Sequence, residues 1–283
     1  MAAFHNQATL TYSGGTVTSN IAAGEILEVL SATKTAVESE YAQGAEVTYA
    51  LNIINSGTAP FTDLAVIDDL GAYTFGEQTL HPMDYVDGSI KYFVDGALQS
   101  APTVESVSPL TLTGINIPAG SNAALLYTVR FNDYASPEAG GTVVNTATVS
   151  GGGVIAITAS ETVAAAQAPV LDIVKTLNPT TVSENGQVTY TMEIENFGNT
   201  EAGAADNVVV SDVFDPLLTD ITVSYNGTEW AENTNYTYDA ATGQFATTAG
   251  AITVPAATFE QNAETGAWTV QPSVSTLTVT GTV

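Results

Sequence analysis

An all-β fold of two tandem immunoglobulin-like sandwiches is predicted from three features of this 283-residue sequence. Short runs such as "EVTYALNI", "ALLYTVRF" and "QVTYTMEI" set Val, Thr, Tyr and Ile at period two, the pattern of half-buried strands. Turn formers ("NSGTAP", "VDG", "SENG", "NFGNT", "YNGT") separate them, and no segment sustains a 3.6-residue period over three turns. The third feature is internal repetition: the chain matches itself at an offset of 141, the difference between Lys175 and Lys34.

In chain order, "FHNQATLTY" (residues 4–12) reads as a strand, followed by a linker to residue 26. The first domain, 27–158, opens on the apolar run before Lys34. It continues through "EVTYALNI", "LAVIDDL", the "YFVDG" turn and "LLYTVRF", and closes on "VVNTATVSGGG". Residues 159–169 read as a linker. The second domain, 170–283, repeats the order with "LDIVK", "QVTYTMEI", "VVVSDVF", "VSYNG", "TVPAA" and "TLTVTGTV". The alignment sets Tyr49 over Tyr190, Asn55 over Asn196, Gly57 over Gly198 and Asp68 over Asp212. It has no counterpart in the second copy for "VVNTATVSGGG", so that domain is expected to lack its last strand. Asn6-Gln7-Ala8-Thr9 matches Asn145-Thr146-Ala147-Thr148, which makes the N-terminal segment the expected replacement.

A sandwich short of one strand leaves an open sheet edge. Phe4, Asn6, Ala8, Leu10 and Tyr12 fall on one alternate face of the N-terminal strand, and they are the expected donor positions. Insertion into the second domain of a neighbouring subunit is β-augmentation. With donor and acceptor at opposite ends of the chain the contact is heterologous, and such contacts propagate into open filaments. The alternative is an extra edge strand on the first domain.

Composition narrows the partners. Thirty acidic residues face four basic ones, for a formal charge of −26, which excludes the basic face that nucleic acid or an anionic membrane requires. Without cysteine there is no disulfide or thiolate site. No secretory leader is read at the start of the sequence, so the export route stays unassigned. His5 and His81 stand in no metal spacing, "IDDL" lacks the alternating oxygens of a calcium loop, and no nucleophile elbow or phosphate loop occurs. No enzyme, metal or cofactor is expected. Trp230 and Trp268 with "NYTYD" read as core aromatics before they read as a carbohydrate face.

Two of the three lysines, Lys34 and Lys175, hold equivalent positions beside apolar runs, each with an equivalent Asp, Asp68 or Asp212. An Asn stands on each closing strand, Asn145 in the first domain and Asn6 on the N-terminal segment. Burial favours the neutral amine of Lys and the protonated form of Asp, so such a trio can condense into a Lys–Asn amide with loss of ammonia. The competing reading is a partly buried Lys–Asp salt bridge. Lys91 and Arg130 read as solvated strand residues.

The motif string "KT…GxxVTYxxxIxNxG…VxxD…PAG…NTATVSG" resembles the bacterial conserved-repeat domain called domain of unknown function eleven. It is also similar to the isopeptide-forming immunoglobulin-like domains of fimbrial subunits and Cna-type adhesins. The resemblance covers residues 27–150, and 170–283 without a last strand; no LPxTG-like anchor is present. It implies an extracellular role at a bacterial cell or spore surface; the donor-strand reading makes the chain a structural subunit of a linear homopolymer, its anchoring partner unknown. A surface adhesin or surface-layer module that binds a ligand without polymerising is the other reading.

Overall fold

The structure is a computed structural model that describes residues 2–26 and 28–283. The chain divides into two compact units. The first runs to Asn132 and adds Val143–Val163; the second comprises Asp133–Thr142 and Ala164–Val283. The domain boundary expected at Leu27 lies outside the described residues.

The N-terminal arm contains β1 (Ala2–Asn6), β2 (Thr9–Tyr12), β3 (Gly15–Thr18) and β4 (Ala22–Ile26). β1 pairs with β4 and β2 with β3, both antiparallel. The expected single strand with a trailing linker is thus corrected to a hairpin. Ser13-Gly14 turn the chain, Gly15 opens the return strand at φ 147°, and the alternating "TVTS" that follows pairs with the first strand.

The rest of the first unit contains β5 (Leu30–Ala36), β6 (Glu40–Tyr41), β7 (Glu46–Asn55), β8 (Phe61–Asp68), β9 (Tyr73–Phe75), β10 (Gln78–Leu80), β11 (Met83–Tyr85), β12 (Lys91–Val94), β13 (Ala97–Leu98), β14 (Thr103–Val107), β15 (Leu110–Ile117), β16 (Asn122–Phe131), β17 (Thr142–Gly151) and β18 (Ile157–Ala165). One sheet runs β13-β12-β16-β7-β5 and the other β14-β15-β8-β17-β18-β6. Alternation decides which side faces inward. Along β7, Val47, Tyr49, Leu51 and Ile53 are buried, and along β16 Ala123, Leu125, Tyr127 and Val129 meet them from the neighbouring strand. Residues 159–165, expected as linker, belong to β18, because Ala159, Val163 and Ala165 bury one face of a strand.

The second unit contains β19 (Leu171–Asn178), β20 (Gln187–Asn196), β21 (Ser211–Val213), β22 (Thr219–Tyr225), β23 (Thr228–Trp230), β24 (Tyr236–Asp239), β25 (Gln244–Thr247), β26 (Thr258–Gln261), β27 (Trp268–Gln271) and β28 (Ser273–Thr282). Its first sheet, β19-β20-β28-β22-β23, reproduces the order β5-β7-β16-β12-β13. The turns agree as well. Asp95-Gly96 and Asn226-Gly227 both carry positive φ at both residues, the backbone a two-residue hairpin turn demands.

The second sheets differ. In the first unit it has six strands; in the second it is β21-β25-β24 alone. Among the described residues, no strand pairs with the edge of β21 that corresponds to the β17 edge of β8. The consequence is visible on the facing strand. Leu30 and Lys34 of β5 are buried, whereas their counterparts on β19, Leu171 and Lys175, are exposed, with Ile173 between them.

One pair of side chains fixes the same loop in both units. Asn55 Nδ2 donates to the carbonyls of Ala59 and Pro118, and its Oδ1 accepts from Gly57 N–H. Asn196 repeats this with Thr200, Pro255 and Gly198. Both amides are fully buried, so truncation strands several polar groups together. Asn55→Ala is expected to destabilise the first unit by about 2–4 kcal/mol, measured as a lower melting transition by calorimetry, and Asn196→Ala to do the same to the second.

Candidate functional site

Lys34 sits at the middle of β5, opposite Leu51 of β7, and Asp68 ends β8 in the other sheet. Lys34 Nζ donates to Asp68 Oδ2 at 2.5 Å, and the two side chains are 0% and 1% exposed. The Tyr127 hydroxyl donates to the same carboxylate oxygen, and Leu70 N–H donates to Oδ1 at 3.0 Å. Two tyrosine rings flank the ammonium, their centroids 4.8 Å (Tyr49) and 5.9 Å (Tyr127) from Nζ. The pair is therefore enclosed by aromatic carbon and has no solvent path for screening.

The third member arrives with β17. Ala147 pairs with Asp68 in the β8/β17 ladder, so Asn145, two residues earlier, lies on the same inward face. Asn145 is fully buried; neither its Oδ1 nor its Nδ2 makes a hydrogen bond of good geometry, although its amide lies near enough to the Tyr49 hydroxyl to lower that phenol's pKa against the effect of burial. A buried, unpaired carboxamide costs about 1–3 kcal/mol if it does nothing.

Burial holds the Lys34 amine below its usual range; the charges of Asp68, Asp69 and Glu161 oppose this without cancelling it. Burial likewise raises the Tyr49 and Tyr127 phenols, with the charge of Asp68 adding to the effect. Both phenols stay protonated as donors, and the amine is displaced toward its neutral, nucleophilic form.

The second unit repeats half of this. Lys175 Nζ donates to Asp212 Oδ2 and lies over Tyr190 (4.5 Å) and Phe214 (5.3 Å). The side chains are 40% and 19% exposed, against complete burial in the first unit. Val279 pairs with Tyr190 where Tyr127 pairs with Tyr49, so the second unit has no counterpart of the Tyr127 hydroxyl. Asn6 belongs to the arm, where β1 is paired with β4. Phe4, Leu10 and Tyr12 are all more than half exposed, and Ala8 is exposed.

Sequence reasoning named the lysines, aspartates and asparagines but not the tyrosines. Tyr49 carried a usable signal, since it matches Tyr190 in the repeat; Tyr127 has none, because its counterpart is Val279. Of the remaining charged or titratable residues considered, Arg130 pairs with Glu46 at the surface, and His81 Nδ1 contacts the Asp69 carbonyl. Among the described residues no group of three His, Cys, Asp or Glu side chains could hold a metal.

No protein family description matches the chain. No curated protein matches it either. The conserved-repeat resemblance therefore rests on the motifs alone. Solved structures with a similar fold include the major pilin subunit BcpA of Bacillus cereus (D312A form), with a TM-score of 0.38 and 11% identity over 95% of this chain and 73% of that one. The pilus backbone RrgB of Streptococcus pneumoniae has a TM-score of 0.36 and 11% identity, covering 86% of this chain and 55% of that one. The collagen-binding subdomain ACE19 of the Enterococcus faecalis surface protein ACE has a TM-score of 0.30 and 10% identity over 50% of this chain and 97% of that one. These values describe a loose likeness of β-sandwich arrangement, and no functional step is drawn from them.

The difference in enclosure sets the expected energetics. Asp68→Ala strands a buried ammonium and is expected to cost the first unit about 3–5 kcal/mol, whereas Asp212→Ala, at an open pair, is expected to cost the second less than about 1 kcal/mol. Calorimetry of the two variants, with the transitions assigned by the asparagine variants above, reads the contrast directly.

Proposed function

We propose that this chain is the structural subunit of an extracellular bacterial fibre on a cell or spore surface. Subunits join head to tail when the N-terminal arm of one enters the second unit of the next. One observation carries the reading: the same Lys–Asp pair is closed in the first unit by an Asn-bearing strand and stands open in the second. Asn6, in a segment that matches the closing strand, is the residue that would complete it.

Closure has an energetic basis. Each main-chain hydrogen bond of an added strand contributes about 0.5–1.5 kcal/mol net, and each large apolar side chain it buries contributes about 1.5–3 kcal/mol. Phe4, Leu10 and Tyr12 supply three such side chains. Open edges that complete one another between copies extend as a linear polymer. The high acidic charge keeps completed fibres from associating side by side.

The chemistry then follows from the trio. In the first unit the neutral Lys34 amine attacks the Asn145 side-chain carbonyl carbon, with Asp68 relaying the proton from amine to leaving group. A C–N bond forms to Nζ, the bond to Nδ2 breaks, and one ammonia leaves. Across a junction, Lys175 and Asp212 act in the same way on Asn6 of the neighbouring subunit. The poorly paired, buried amide of Asn145 supports this reading, since the reaction replaces it with an amide cross-link.

The test is deletion and mass. Removal of residues 2–12 is expected to abolish fibres in negative stain and leave monomers, while Lys175→Ala is expected to keep fibres but convert SDS-resistant ladders into single bands. Intact mass of the wild-type subunit is expected to fall short of the sequence by one ammonia, and Lys34→Ala to restore it. Fibres that survive the deletion would return the chain to the non-polymerising adhesin alternative.

A further inference from the structure

The geometry points to the whole hairpin Ala2–Ile26, and not a single strand, as the element passed between subunits. It supplies a second copy of this chain with counterparts of both β17 and β18. This inference rests on the fibre reading above and concerns the unit of exchange.

The acceptor shows a gap two strands wide. In the first unit β17 and β18 lie between β8 and β6, so β8 and β6 stand three strand spacings, about 14 Å, apart. The offset of 141 places Thr181-Val182 at the position of β6 (Glu40–Tyr41). There the second unit has no strand, and Val182 is exposed, although Tyr41 is buried and stacked on Phe131 at 4.1 Å. A single donated strand would satisfy the open edge of β21 and leave Thr181-Val182 one spacing short of a partner. Two strands reach it.

The donor has the matching register. Across β17 and β18 the Thr146 and Ser160 hydroxyls meet at 2.9 Å, which sets Asn145 opposite Glu161. In the arm Asn6 stands opposite Ala22. The shift is the same on both strands: 145 − 6 and 161 − 22 are each 139. Over β1 and β4 the arm is therefore paired as β17 is with β18, around the residue that matches Asn145, while β2 and β3 are paired one residue off that register.

Its two faces are unlike. Phe4, Leu10 and Tyr12 lie on one face with Val17 of β3, which is opposite Leu10 and also more than half exposed. Phe4 packs its ring on Gly24 of β4, where a Cβ would lie 2.4 Å from the ring. The other face carries Thr9, Thr11, Thr16 and Thr18, and the Thr11 and Thr16 hydroxyls touch at 3.3 Å. Both strands thus contribute to one apolar surface. In the first unit the corresponding face is buried on both strands, at Val143, Asn145, Ala147 and Val149 of β17 and at Ala159 and Val163 of β18.

Hydrogen exchange on assembled fibres and on free subunits tests the unit of exchange. A free two-stranded hairpin is marginal in water, so its amides exchange quickly before assembly. Assembly is expected to protect residues 2–12, residues 15–26 and residues 181–183 together. Protection confined to 2–12 would overturn the hairpin and leave single-strand donation standing; protection in none of the three would overturn the fibre reading itself. Substitution gives an independent readout. Val17→Asp puts a carboxylate on the buried face and is expected to slow fibre growth at least about tenfold, as Leu10→Asp does, while Thr16→Asp on the outer face stays within about twofold. Equal growth of Val17→Asp and Thr16→Asp beside a blocked Leu10→Asp would overturn the hairpin. Unimpaired growth of Leu10→Asp would overturn donation altogether.

Discussion

The ladder between β8 and β17 is the contact on which the first unit depends. It does two things at one place: it pairs the inner edge of β8, and it seals Lys34 and Asp68 away from water. A buried ion pair is stable only when its remaining donors and acceptors are satisfied, and here the Tyr127 hydroxyl and Leu70 N–H complete the carboxylate. Without the ladder the same charges would be solvated, the amine would return to its ordinary basicity, and the proposed condensation would lose its driving environment. Enclosure and reactivity therefore have a single cause.

The second unit shows what the same sequence frame becomes when that ladder is absent. Its first sheet keeps the strand order, its turns keep their Asp-Gly or Asn-Gly chemistry, and its Asn196 pins the same loop. Apart from the added β26/β27 hairpin and Val279 in place of Tyr127, the change lies on the side that β17 and β18 would cover. β19 is exposed along its length but for Leu177, Val182 has no strand to join, and Lys175 and Asp212 meet in partial solvent. The core nevertheless closes around Phe214, Phe245, Leu277 and Val279, so the unit has a packed interior beside an open edge.

An arm with an apolar face in one unit and an uncovered sheet edge in the other are complementary features held at different places in one chain. Contacts of that kind between copies do not close on themselves through a twofold axis; they propagate. In the proposed junction complementarity is mainly backbone pairing and apolar burial, which tolerate the shortage of basic residues. The charge of −26 then serves solubility without having to take part in recognition.

The sequence by itself determined the fold class, the tandem repeat and the equivalence of Lys34 with Lys175 and of Asp68 with Asp212, because strand period, turn chemistry and repeat spacing are local properties of the chain. It also marked Asn6 and Asn145 as counterparts through a short match. It did not show that residues 15–26 pair with 2–12, since a Thr-rich stretch after two glycines serves equally as linker or strand until a partner lies beside it. Tyr127 was likewise hidden, because its role depends on which strand faces Asp68 and has no echo at Val279. The difference between the two Lys–Asp pairs, identical as letters, was decided by tertiary structure alone: burial is a property of what covers a residue, and only one of the two is covered.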